Sequence, residues 1–276
     1  MRFLKLLNFE ISRFIKIYVS LLVLTVVVQF AGVLILSNKI VNNAEKIMKE
    51  EMISLQQYLQ NYGKTNFSSI MESLWFLAPI MISAAALLLY LFLIWYREWT
   101  GKNTFIYRLL MLPASRMNIY FTKALTILLM VLGLVALQLA ILPLEISFFK
   151  AIVPADYRVN LDMKTLIYSN PATMILIPPT FMQFLLHYGG GIMAVFVLFT
   201  AILLERSFRI KGIILGVIYC AGALALIVLP LFYAVMKGEM LLYPSELLLL
   251  EVLLGLIVCG ISIWMSARLL NKRVSV

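Results

Sequence analysis

The chain has 276 residues, 63% of them hydrophobic and 13% charged, with a mean hydropathy of +0.99. A soluble domain of this length is nearer half apolar and a quarter charged, so a water-soluble globule is excluded. The net charge of +10 does not indicate nucleic acid, because the basic residues stand at the ends of apolar runs and form no single patch.

Residues 1–16 carry Arg2, Lys5, Arg13 and Lys16 against a single acid, Glu10. Phe3, Leu4, Leu6, Leu7, Ile11, Phe14 and Ile15 recur three and four apart, which predicts an amphipathic helix lying flat on the inner leaflet. Residues 15–36 are a first span of about twenty apolar residues, enough to cross the hydrocarbon core. This run is too long for a signal peptide and lacks a cleavage site, so the span is expected to be retained. Gln29 is its one strongly polar interior residue.

Residues 37–69 are expected outside. Ile40, Val41, Ala44, Ile47, Met48, Met52, Leu55 and Leu59 form a helical stripe that Gly63 and Asn66 end. A second span, 70–96, contains Pro79 and closes in the aromatic and basic belt Trp95, Tyr96, Arg97, Trp99. The loop 97–123 holds Arg97, Lys102, Arg108, Arg116 and Lys123 with only Glu98 as acid. Phe105, Ile106, Leu109, Leu110 and Leu112 give it a short amphipathic helix, preceded by Gly101 and stopped by Pro113.

The third span, 124–149, has Pro143 and Glu145 near its outer end, where the carboxylate is close enough to the surface to snorkel. In 150–179 the apolar stretch 166–177 is too short to cross. It is broken at Asn170–Pro171 and closed by Pro178–Pro179, which leaves a re-entrant or interfacial element. The fourth span, 180–204, holds Gln183, His187 and the triplet Gly189–Gly191, which permits a bend or a close helix approach. A lone histidine makes no metal site, so His187 is either a packed polar group or part of a path lining. A short inner loop with Arg206, Arg209 and Lys211 leads to the fifth span, 212–236, which opens with Gly212-x-x-x-Gly216, a pattern that lets helices touch. The sixth span is 247–270, and Cys220 and Cys259 lie in apolar runs as small buried thiols with no disulfide or metal spacing.

Six spans in one transmembrane domain, 1–276, place both termini in the cytoplasm. Fifteen of the 23 Lys and Arg then fall inside, as the positive-inside rule requires. There is no Walker-type phosphate loop, no H-E-x-x-H and no nucleophile elbow. No catalytic residue, metal or cofactor is therefore expected on this chain.

Glu98, Gly101, the apolar helix, then Leu112-Pro113-x-Ser115-Arg116 and Lys123 resemble the first cytoplasmic loop of ABC-2-type (type V) exporter permeases, similar to those of Gram-positive bacteria. The Glu10–Arg13 pattern resembles the elbow helix before that family's first span. The resemblance implies an all-α membrane protein with an N-terminal elbow helix and a cytoplasmic coupling helix. The coupling residues it implies are Glu98, Gly101, Arg108, Leu109, Pro113, Ser115, Arg116 and Lys123. It further implies two P-loop ATPase subunits carrying ATP and Mg, a second permease subunit, identical or related, and a bacterial plasma membrane. Gln138, Glu145, Gln183 and His187 are the candidate lining of a substrate path for an amphiphilic cargo, such as a peptide, an antimicrobial or a lipid-like molecule. Two alternatives stand beside this: a non-transporting scaffold or sensor that binds partners through its outer helix, and a membrane-embedded enzyme of another type.

Overall fold

The structure is a computed structural model that describes residues 2–99, 115–237 and 243–272. Among the described residues it is helical, without strands. The helices are α1 (Arg2–Glu50), α2 (Leu55–Tyr62), α3 (Ser68–Met71), α4 (Leu74–Trp99), α5 (Arg116–Ile152), α6 (Met163–Ser169), α7 (Pro171–Leu176), α8 (Phe181–Phe208), α9 (Ile210–Lys237) and α10 (Pro244–Lys272). Six of them, α1, α4, α5, α8, α9 and α10, are long and apolar enough to cross a membrane. The chain is a multi-pass helical membrane protein. The lipid is the solvent for the many exposed Leu, Ile, Val and Phe side chains on these helices.

The first helix differs from expectation. It runs unbroken for 49 residues, about 74 Å at 1.5 Å per residue. The N-terminal amphipathic segment is its first turns and not a separate helix, because no Gly or Pro interrupts residues 2–31. Its far end stops at Glu50, earlier than the apolar stripe indicates. Met52 takes a left-handed φ of 52°, and Ser54 then starts α2 with a capping box in which its side chain accepts from Gln57 N and Gln57 Oε1 accepts from Ser54 N. Gly63, at φ 76°, ends α2 as expected, since the left-handed region favours glycine. The break at Asn170–Pro171 is also present: Asn170 Oδ1 accepts from Ala172 N and caps α7 with Pro171 in its first turn.

The chain divides into two compact units, one of Met1–Ile11, Leu89–Leu128 and Phe181–Val276, the other of Ser12–Leu88 and Leu129–Thr180. In the second unit Val33, Phe76, Leu142, Ile146 and Phe149 of the long helices share a core with Phe67, Ile70, Met71, Leu166 and Ile167 of the short-helix segments. The two short-helix segments hold each other. Thr65 N donates to Tyr157 O and Val159 N to Thr65 O, at 2.9 and 2.8 Å, and Asn170 Nδ2 donates to Met71 O at 3.0 Å. Within this unit α1 crosses α4 closely, since a Cβ on Gly32 would collide with Trp75.

In the other unit α8 packs against α9 and α10. Gly212 and Gly216 are where α8 and α9 touch: a Cβ on Gly212 would strike the Leu204 carbonyl, and one on Gly216 would sit 3.2 Å from Ala201 O. Hydroxyls join these helices as well, with Tyr219 Oη 2.6 Å from Ser262 Oγ and Thr200 Oγ1 2.9 Å from Ser266 Oγ. The Gly189–Gly191 triplet seats no neighbour among the described residues. The α8 helix continues through it, and among the described residues nothing lies within 4 Å of where the three Cβ atoms would be.

Candidate functional site: a buried charge cluster

Glu98 is one residue from the end of α4, and Lys123 is seven residues into α5. Between these helices lie residues 100–114, outside the described residues. Lys123 Nζ is fully buried and sits 2.7 Å from Glu98 Oε1, 2.7 Å from Glu10 Oε1 on α1, and 2.9 Å from the Ile94 carbonyl. Ile94 and Glu98 are one turn apart on the same face of α4, so one ammonium reaches both. The ammonium also lies 5.2 Å from the centre of the Trp95 ring, a cation–π contact. Arg97 Nη2 lies 3.3 Å from Glu10 Oε2, so two carboxylates meet two cations and the cluster is balanced.

The burial follows from the faces that meet. Tyr90, Ile94 and Trp95 of α4 and Ile119, Tyr120 and Lys123 of α5 are all buried. Trp95 meets Phe199 edge-on at 5.4 Å and lies 6.5 Å from the Tyr120 ring. This corrects the expected interfacial belt: Trp95 is an interior residue, because its ring fills the space between α5 and α8. The neighbouring Tyr96 does make a polar end contact, donating to Glu205 Oε2, and Arg206 stacks 4.5 Å over its ring. The start of α5 is held too, since Arg116 Nη1 donates to the Leu270 carbonyl of α10. Ser115 is exposed, and its carbonyl accepts from Asn118 N at 2.9 Å.

Chemically the cluster is a joint. Taking several charges out of water is unfavourable unless each meets its opposite, so this arrangement fixes one register of α1, α4 and α5. Of the residues assigned to coupling, Glu98 and Lys123 are joined in the cluster and Arg116 is tied nearby, while Gly101, Arg108, Leu109 and Pro113 lie outside the described residues. No group of three or more His, Cys, Asp and Glu among the described residues is arranged to hold a metal ion.

The four candidate path residues are not gathered into one site within either unit. Gln138 accepts from Gln29 Nε2 at 3.2 Å in one unit, where Glu145 also lies. Gln183 and His187 belong to the other, His187 exposed on the surface of α8. Glu145 does not snorkel. It is fully buried, and neither carboxyl oxygen has a hydrogen-bond partner among the described residues, because its face of α5 is the packed one that also carries Gln138, Leu142 and Phe149.

Glu10 is the central residue that sequence reasoning valued least. Its signal was visible as the sole acid among the basic residues of the N-terminal segment. Comparison with known proteins finds no matching family model, curated protein or solved structure.

Proposed function

We propose that the chain is the transmembrane subunit of an ATP-driven exporter, worked from the cytoplasmic side by a separate ATPase. The observation that carries this reading is the pairing of Glu98 with Lys123. These residues bracket the loop that resembles a coupling helix, and they are joined to each other and to Glu10 at 2.7 Å. A push on that loop would therefore act on α1, α4 and α5 together, because the joint admits no independent slip of one helix without exposing a buried charge. Two ATPase subunits carry ATP and Mg, and a second permease subunit completes the path. Both termini face the cytoplasm, in keeping with the distribution of Lys and Arg, and the membrane is a bacterial plasma membrane, as the resemblance implies. The cargo is amphiphilic, in keeping with apolar helices whose few polar positions include Gln138, Glu145, Gln183 and His187.

Purification in mild detergent, with partners identified by mass, tests the reading. A P-loop ATPase is expected to co-purify and to be lost when Leu109, Pro113 and Arg116 are replaced. Recovery of the folded chain with no ATPase, or with one that survives those replacements, would favour the scaffold alternative.

A further inference from the structure

A row of buried polar side chains runs through the unit formed by Ser12–Leu88 and Leu129–Thr180. It comprises Thr25, Gln29 and Ser37 on α1, Ser83 on α4, and Gln138 and Glu145 on α5, none more than 3% exposed. Two contacts set the register. Tyr18 Oη donates to Met130 O at 3.0 Å and Gln29 Nε2 donates to Gln138 Oε1 at 3.2 Å, so α1 and α5 run parallel. From the glutamine pair, Ser37 is eight residues onward and Glu145 seven, about 12 and 10.5 Å of helix rise, which places them at one level. Thr25 and Ser83, 3.4 Å apart, form the level on the other side of the glutamines. From Thr25 to Ser37 the row covers about 18 Å, more than half of a hydrocarbon core of about 30 Å.

Five atoms of the row are buried and lack a hydrogen-bond partner among the described residues: Gln29 Oε1, Gln138 Nε2, Ser37 Oγ and both oxygens of Glu145. In a membrane-spanning segment no bulk water meets them, and each would be left unmade at about 1–3 kcal/mol in a dry interior. The set is mixed in kind. A bare cation would satisfy the oxygens and leave the Gln138 amide N–H, and an anion would do the reverse. Water donates and accepts, and so suits both.

We propose that this row is an internal hydration site, holding ordered water at the Gln29–Gln138 level and at the Ser37–Glu145 level. It gives the interior of this unit a wet seam within otherwise apolar packing, with Glu145 as its one ionisable wall. The site rests on these three helices alone and holds whatever partner drives the protein.

The test uses full-length protein in liposomes with Cys220 and Cys259 replaced by Ser. Single cysteines are placed at Ser37 and Gln138, with Met71→Cys, in the dry core, as control. Silver ion, which reaches thiols through hydrated paths, is expected to block Ser37→Cys and Gln138→Cys at least an order of magnitude faster than the control. Radiolytic labelling of the unaltered protein in ¹⁸O-water supplies a readout that needs no substitution. Val33 and Leu142, which lie between the two levels, are expected to take up ¹⁸O faster than Phe67 and Ile70. Thiols no faster than Met71→Cys, or, where those variants fail to fold, equal ¹⁸O uptake at the two pairs, would overturn the proposal.

Discussion

Replacing Lys123 by Met keeps the length of the side chain and removes its charge. In the native cluster Nζ serves two carboxylates at 2.7 Å, and the side chains of Glu10 and Glu98 are 3% and 0% exposed. Removing one partner of a buried ion pair leaves uncompensated charge and costs about 3–5 kcal/mol. Lys123→Met is therefore expected to lose about that much in SDS-titrated unfolding followed by helix signal. Adding Glu98→Gln restores the balance, with Glu10 still paired to Arg97, and the double variant is expected to regain most of the loss, because no buried charge is left without its opposite. A Lys123→Met loss below about 1 kcal/mol, the range of exposed pairs, would refute the reasoning. So would a double variant as unstable as the single one.

Gly212→Ala is expected to destabilise the α8–α9 contact by about 1–3 kcal/mol, the range for overpacking, since its Cβ meets the Leu204 backbone, which has little room to move. Gly190→Ala, with open space around it in a continuous helix, is expected to be neutral or to stabilise by up to about 1 kcal/mol. The same unfolding assay reads both, and the opposite order would contradict the packing described. Ser54→Ala removes the capping oxygen of α2 and is expected to cost about 1 kcal/mol locally, seen as faster hydrogen exchange in residues 55–62. Tyr62 donates to Glu51 Oε1 at 2.7 Å, and this bond to the protonated phenol raises its pKa above the ordinary 10. The bond is present below that value and is lost as the pH rises through the raised pKa, so Glu51→Gln is expected to lower the midpoint seen by NMR of ring-labelled tyrosine.

The spans were legible because each is a run of apolar residues of membrane length, and a bilayer accepts little else. The stops at Gly63 and Asn170–Pro171 were legible because backbone chemistry there is local. The end of α1 was missed although Ser54-x-x-Gln57 is a readable capping box, because the apolar stripe runs on across it and period alone was followed. The charge cluster was legible only in part. Glu98 and Lys123 stand out in the loop, but their shared bond with Glu10 joins residues 113 apart in sequence, and no local period encodes that. Burial of Glu145 depends on which face of α5 meets α1, which the sequence carries only as the spacing of Gln138, Leu142 and Glu145.

The most direct measurement places a photo-crosslinking amino acid at Leu109 and irradiates intact cells, identifying the adduct by mass. The expected result is a single major adduct with a P-loop ATPase, absent when the crosslinker sits instead at the lipid-exposed Leu88. An adduct with a protein confined to the cell exterior, or no ATPase adduct from a folded and active chain, would contradict a permease driven through this loop.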